Sequence, residues 1–259
     1  IVGAIPGLIL APVMYFLLPE SPDFLRVTGR DQEARQIASQ YGLSLEEASA
    51  GVPQVEEQAG AAALLRPPYL RNSIAVWVTS FMGLLLVYGL NTWLPQIMRQ
   101  ADYDMGNALG FLMVLNIGAV VGLVIAGQVS DKHSPRRSGL VWFVLSALFL
   151  AMLAIRMPMP VLYTVVFLTG VFVFSSQNLV YAFVGESHPS NLRATAMGIS
   201  AGIGRLGAIS GPMLGGLLVH KDLANPWGFY SFAIVGLAGA VFFSLTKPLV
   251  AIDRDSAKR

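Results

Sequence analysis

The chain has 259 residues, of which 54% are hydrophobic, 12% are charged and none is cysteine. Charged residues make up about a quarter of a typical soluble domain, so this composition argues against a soluble protein and predicts a membrane protein. The lack of cysteine excludes disulfides and thiolate metal sites. The small net charge of +2 gives no sign of a nucleic-acid partner.

Several apolar runs reach the roughly 20 residues that a helix needs to cross a bilayer. Because these runs are continuous and do not alternate at period two, they predict helices rather than a strand barrel. The predicted fold class is therefore all-α and polytopic. The expected spans are a truncated one at 1–18 and complete ones at 73–98, 109–129, 140–155, 161–184, 196–219 and 229–245. The span at 140–155 is short and is expected to continue a few residues beyond Ile155.

The apolar start lacks Met and a basic flank, which indicates the end of a helix in a longer protein rather than a signal peptide. We divide the chain into this helix end (1–18), a linker (19–71), a six-helix transmembrane bundle (72–247) and a tail (248–259). In the linker, a short helix is expected to be capped at Thr28 and to end at Gly42. The rest of the linker has no phosphate-binding loop or nucleophile and base, which predicts a solvated connector.

Lysine and arginine are distributed unevenly over the two sides of the predicted bundle. With one intramembrane arginine left out of the count, thirteen fall on the side that holds the linker and the C-terminus, and three fall on the other side: Arg99, Arg156 and Lys221. Basic residues are enriched in cytoplasmic loops. The linker and the C-terminus are therefore predicted to be cytoplasmic.

The apolar, glycine-rich stretch 194–219 carries one charge, Arg205. A charge at the bilayer centre costs about 2.5–3.5 kcal/mol, so it must face a polar cavity or a partner and marks a candidate functional site. A rotation of 100° per residue puts Gly207, Gly211 and Gly215 roughly across the helix, where they suit close packing. Guanidinium matches a carboxylate in bidentate geometry. A structural pair with a neighbouring acid or backbone carbonyl is the alternative.

Polar side chains concentrate in four of the predicted spans, one of which is the span that carries Arg205. The candidate ligand contacts among them are Tyr88, Asn91, Thr92, Asn116, Gln177 and Asn178. Tyr88 and Thr92 share a helical face, with Asn91 beside them, which suits an aromatic ligand. Alternatively, Tyr88 is a packing residue or part of an interfacial aromatic belt. The amides could equally form interhelical hydrogen bonds.

A short basic turn, AGQVSDKHSPRR, follows the span at 109–129. Its Gly127 allows close helix packing, its Asp131 can pair with a base on a neighbouring helix, and its basic residues hold the turn on the cytoplasmic side. The string resembles the loop signature of the major facilitator superfamily, G-x-x-x-D-[RK]-x-G-x-[RK]-[RK], with Ser134 where the pattern has glycine.

Other segments support this resemblance. LPESPDFL at 18–25 looks like the P-E-S-P-R ending of helix six, with Asp23 in place of the arginine. ESHPSNLRATAMG at 186–198 is similar to the E-x-x-P-x-x-x-R loop before helix eleven. YGLNTWLPQIM and GRLGAISGPMLGG are close to the aromatic acid:proton symporter branch. The resemblance runs from helix six to helix twelve and lacks helices one to five.

The resemblance implies a secondary transporter in which two six-helix bundles rock around a site near the membrane midplane. The substrate would be a small organic acid, in particular an aromatic carboxylate, coupled to protons. The partners would be the lipid bilayer and the missing N-terminal bundle, in a bacterial cytoplasmic membrane. The proton carrier is expected on the absent first helix. The residues expected to gate transport are Gly127, Asp131, Lys132, Arg136, Arg137, Glu186 and Arg193.

No catalytic residue, metal site or cofactor is predicted. His133, His188 and His220 all fall at membrane edges without metal-ligand spacing, which disfavours an enzyme. The alternatives left open are a carrier for a sugar or another metabolite and a non-transporting receptor or channel. The paired glutamines expected on helix seven of a sugar carrier are missing.

Overall fold

The computed structural model describes residues 12, 20, 25, 29–41, 61–67, 69–100, 105–188, 190–221 and 223–247. The chain forms two compact units, Ile1–Gln58 and Ala59–Arg259. Apart from residue 12, the predicted span 1–18 lies outside the described residues, as does the predicted tail 248–259.

In the first unit, helix α1 spans Asp31–Gln40 and begins later than predicted. The predicted cap, Thr28, lies outside the described residues, and the helix is instead preceded by Gly29 at φ +76°. This left-handed conformation suits glycine and cannot continue a right-handed helix. Arg30 stands at the N-cap and pairs with Glu33 at 2.5 Å.

The second unit begins with a short 3-10 helix, Ala61–Leu65, whose Leu64 is fully buried. This helix lies within the predicted linker, where no such packed segment was expected. Six longer helices follow: α2 Leu70–Gln100, α3 Met105–His133, α4 Pro135–Met152, α5 Met159–Ser187, α6 Ser190–His220 and α7 Phe229–Ser244, the last preceded by a kinked segment, Ala224–Gly228, whose Asn225 has a non-helical backbone. The predicted all-α fold is confirmed.

Over the described residues, five segments are long and apolar enough to cross a membrane: Leu70–Gln100, Leu109–His133, Met159–Ser187, Leu192–His220 and Asn225–Ser244. The longest helices, α2 and α6, have 31 residues each. At about 1.5 Å per residue, such a helix is roughly 46 Å long, longer than the roughly 30 Å hydrocarbon core of a bilayer. Their ends therefore extend beyond the hydrocarbon region.

The short span predicted at 140–155 differs from the observed α4 at both ends. The helix starts five residues earlier, at Pro135, and ends at Met152 rather than continuing beyond Ile155. Proline is favoured in the first helical turn because its missing N–H has no partner there. Because the first turn holds the charged residues Arg136 and Arg137, hydropathy alone places the start of this helix too late.

The six helices pack in three principal pairs: α2 with α6, α3 with α5, and α4 with α7. Helix α5 also packs on α4, and α7 also packs on α2. The largest buried cluster joins α2, α3, α4, α5 and α7 through residues such as Leu90, Phe111 and Phe232. A second cluster includes Leu64, Phe143 and Phe243. The pairing of α2 with α6 sets the geometry of the candidate site.

Candidate functional site

The α2–α6 pair is joined by direct backbone contact. A Cβ atom at Gly207 would lie well under 3.0 Å from the carbonyl oxygen of Phe81, and one at Gly211 would clash in the same way with that of Leu85. Only glycine permits so close an approach of two helices. The predicted packing role of these glycines, across the helix from Arg205, is confirmed.

The other side of α6 is open within the described part of the chain. No heavy atom lies within 4 Å of a Cβ placed at Gly198 or Gly202. Ile209 and Met213 are 62% and 70% exposed. The side chain of Arg205 is also exposed. Arg205 therefore lies at the edge between the α2 contact and the open face.

Arg205 and Tyr88 meet at this edge. Nη1 of Arg205 donates a hydrogen bond to the phenolic oxygen of Tyr88 at 3.0 Å. No described acidic side chain pairs with Arg205. A hydrogen bond to a phenol hydroxyl supplies no negative charge, so no described side chain compensates the guanidinium charge. Because its oxygen accepts from Arg205, the phenolic O–H is free to donate elsewhere.

The neighbouring candidates on α2 follow the predicted helical face. Thr92 is exposed, and its Oγ1 donates to the carbonyl oxygen of Tyr88 at 2.8 Å. Asn91 is half-buried on the same turn. The structure thus brings Tyr88, Thr92 and Arg205 together, with an aromatic ring, hydroxyl groups and a cation at one surface.

The candidates on α3 and α5 lie on a second glycine-packed pair. A Cβ at Gly118 or Gly122 would clash with backbone oxygens of α5, and one at Gly170 would clash with that of Leu115. Asn116 and Asn178 are exposed, and each donates from Nδ2 to a carbonyl of its own helix, at 2.8 and 3.2 Å. Within the described part of the chain, neither amide joins two helices, so both stay available at the surface.

Gln177 differs from its neighbour Asn178. It is 3% exposed, and neither its Oε1 nor its Nε2 has a hydrogen-bond partner among the described residues. The amide occupies the space left by the missing side chain of Gly83 on α2. A ligand would have to enter the interior of the bundle to reach it. The predicted ligand contact at Gln177 stays a prediction.

The turn between α3 and α4 borders a cavity of about 610 Å³ whose lining includes Arg136, Arg137 and Glu186. Ser134 has φ +139°, a region that favours glycine, so serine here holds the conformation for which the family pattern uses glycine. Asp131 is exposed and forms no ion pair with a described residue. No described atom lies within 4 Å of a Cβ at Gly127, so close packing there is not found within this part of the chain.

At the same end of the bundle, His188 follows α5 and is buried with its ring stacked on Tyr69. Burial lowers the pKa of His188 below its ordinary value of 6.5, because desolvation disfavours the charged imidazolium. The ring is therefore neutral at neutral pH. Lys132 and Arg193 are exposed.

Side chains of α2 and α4 hold the end of α7, which sequence reasoning did not predict. Arg136 donates from Nε to the carbonyl of Thr246 and from Nη2 to that of Ser244, both at 2.8 Å. Asn72 donates to the carbonyl of Lys247 and accepts from its N–H at 2.8 Å. Arg136, predicted to gate, thus caps a helix here. Backbone acceptors are the same in every residue, so sequence patterns do not reveal such pairs.

The sequence profile of the Major Facilitator Superfamily matches residues 1–200 and again residues 112–258. The chain is 38% identical over 190 residues to the gentisate transporter of Corynebacterium glutamicum, with 73% of this chain and 43% of that protein covered. It is 28% identical to the benzoate transport protein of Acinetobacter baylyi, with 93% and 53% covered. It is 30% identical to the gallate transporter of Pseudomonas putida, with 92% and 54% covered.

The chain spans about half the length of these relatives. It also superposes on the proton:xylose symporter XylE bound to 6-bromo-6-deoxy-D-glucose, with a TM-score of 0.69 and 17% identity, over 96% of this chain and 57% of that one. At this identity the likeness supports the fold alone. These matches to membrane transporters confirm the expectation that the chain is not an enzyme. The chain is an integral membrane protein that belongs to the major facilitator superfamily and is related to aromatic acid transporters.

Proposed function

We propose that this chain forms the C-terminal bundle of a secondary carrier for a small aromatic carboxylate, with Arg205 as the anchor of the carboxylate. One observation carries the proposal. The guanidinium is exposed at a polar edge of the bundle, bonded to a neutral phenol and without an acidic partner among the described residues. A substrate carboxylate would supply the missing negative charge through paired N–H···O bonds.

Tyr88 supports the same assignment. Its oxygen accepts from Arg205, so its own proton can be donated to the same carboxylate or to a ring hydroxyl. Its ring lies beside the place where an aromatic substrate would stand. The names of the relatives point the same way, because gentisate, benzoate and gallate are all aromatic carboxylates.

We place the proton-carrying acid in the N-terminal bundle that this proposal requires. In the described spans, Asp131 and Glu186 lie in the last turns of α3 and α5. An acid near the membrane centre is the usual proton relay in such carriers, and none of the described spans has one there.

The function is tested by counterflow of labelled benzoate in liposomes that hold the full-length carrier. We expect exchange of labelled for unlabelled benzoate without chemical change. Exchange of a labelled sugar but not of benzoate would contradict the proposed substrate and favour a sugar carrier. A new chemical product would contradict the carrier mechanism itself.

We propose that the linker and the C-terminus face the cytoplasm, as the distribution of basic residues indicates. The chain has no cysteine, so single cysteines can be labelled without background. Gln36 and Lys221 are both exposed and lie on the two predicted sides. In right-side-out vesicles, a membrane-impermeant maleimide should modify Lys221→Cys and spare Gln36→Cys. Reaction of Gln36→Cys alone would show that the chain has the opposite orientation in the membrane.

We propose that the turn after α3 gates transport through contacts that Asp131 makes with the other bundle in one conformation. Asp131→Asn should lower the maximal uptake rate while leaving equilibrium affinity for benzoate within about twofold, because the turn controls the exchange between bundle arrangements and does not contact the ligand. Paired uptake and binding assays check this. Glu33→Gln, which alters an exposed acid on α1, is the control. Lost affinity at an unchanged rate would contradict the gating role.

A further inference from the structure

Trp93 on α2 contacts the C-terminal part of α6 through a hydrogen bond and through packing of its ring. Its Nε1 donates to the carbonyl oxygen of Pro212 at 2.7 Å. The indole lies on Gly215 and Gly216, where added Cβ atoms would collide with or crowd the ring. Together with the backbone contact at Gly207 and the Ser80–Ser200 hydrogen bond, this side chain therefore constrains the distance and the rotation of α6 relative to α2.

This contact lies close to the Arg205–Tyr88 pair along both helices. Trp93 follows Tyr88 by five residues, and Pro212 follows Arg205 by seven, which corresponds to about 7.5 and 10.5 Å along the helix axes. Pro212 has no N–H to donate to the carbonyl of residue 208, so the hydrogen-bond ladder of α6 is interrupted between the two contacts. The bond from Trp93 lies immediately beyond this interruption.

Between these contacts, Gly207 and Gly211 of α6 lie directly against the backbone of α2, and Gly211 meets Gly89. Glycine faces allow close approach but have no side chains that interlock and oppose sliding or rotation. A small rotation of α6 is magnified at the end of a long arginine side chain. The register of Arg205 therefore depends on a directional contact nearby.

We propose that Trp93 is a positioning residue that locks the register of α6 on α2 and so keeps Arg205 aligned with Tyr88 for carboxylate binding. This inference rests on the proposed function, in which Arg205 is the anchor. Trp93 itself does not contact the carboxylate in this mechanism. It acts through the orientation of the guanidinium.

The test compares two indole hydrogen bonds in the full-length carrier. Trp93→Phe removes the bond to Pro212 and keeps an aromatic ring. Trp142→Phe is the matched control, because Nε1 of Trp142 donates to Oγ of Ser175 at 2.8 Å between α4 and α5. Both variants should lower the thermal midpoint to a similar extent. Only Trp93→Phe should weaken equilibrium binding of labelled benzoate, roughly tenfold, the change that about 1.4 kcal/mol produces.

A double-mutant cycle with Arg205→Lys separates positioning from general loss of structure. If Trp93 acts through Arg205, Trp93→Phe should have much less effect on benzoate affinity in the Arg205→Lys background. An undiminished effect there would overturn the inference, as would equal affinities for the two phenylalanine variants. If Trp93→Phe does not insert, Gly216→Ala displaces the indole slightly and replaces it in the same cycle.

The cycle also distinguishes failure of the Arg205 anchor from failure of the positioning role of Trp93. If Arg205→Lys alone keeps full benzoate affinity, the anchor assignment fails and the role of Trp93 falls with it. If Arg205→Lys weakens binding while Trp93→Phe matches Trp142→Phe, the proposed function stands and the positioning role is wrong.

Discussion

Arg205→Lys should weaken benzoate binding to the full-length carrier by roughly 10- to 100-fold, and Arg205→Ala should weaken it further. The loss corresponds to about 1.5–3 kcal/mol, the usual contribution of hydrogen bonds to charged groups. Lysine keeps the charge but not the planar fork that binds both carboxylate oxygens. Equilibrium binding of labelled benzoate to the purified protein measures this effect.

Benzamide separates anchoring from general damage, because it keeps the ring and loses the negative charge. Its binding, measured by competition, should respond much less to both substitutions at Arg205. Arg35→Lys, on the exposed face of α1, controls for an arginine change outside the bundle. If acid and amide lose affinity equally while expression stays normal, Arg205 is a structural residue.

Gly207→Ala should destabilise the bundle strongly, because the added Cβ would stand well under 3.0 Å from the carbonyl oxygen of Phe81. A backbone atom cannot move aside as a flexible side chain can, so α2 and α6 must separate. Overpacking of this kind costs about 1–3 kcal/mol, occasionally more. Thermal unfolding of the chain in detergent should show a midpoint several degrees lower.

Gly202→Ala is the matched control on the same helix. No described atom lies within 4 Å of the added carbon, and alanine favours a helix over glycine by about 0.5–1 kcal/mol, so the midpoint should rise slightly. Because both variants add the same methyl group, the difference reports the α2 contact. Equal shifts for the two variants would show that the close approach at Gly207 is unimportant.

The spans and one packing face could be predicted from the sequence because they depend on periodic signals. Long apolar runs gave five of the six complete spans, and the 100° rotation per residue placed Gly207 and Gly211 across α6 from Arg205. Lipid-facing residues are as apolar as core residues. Hydropathy therefore cannot tell that Gln177 is buried while Asn178, one residue later, is exposed.

The contacts that hold the candidate site were harder to predict for a different reason. The Trp93–Pro212 bond and the capping of α7 by Arg136 both end on backbone carbonyls. A carbonyl leaves no mark in the sequence, so its partner is known only when two distant helices are brought together. The prolines inside α2 and α6 were visible, but their consequences depend on the neighbouring helix.

The hydrogen bonds at the end of α7 also have a mechanical consequence. Asn72 belongs to the first turn of α2 and Arg136 to the first turn of α4, and both grip the same few residues where α7 ends. A force applied to the segment before α2, or to the residues after Lys247, would therefore act on α2, α4 and α7 together through these hydrogen bonds. The three helices would then move together, and α7 would not unfold from its C-terminal end first.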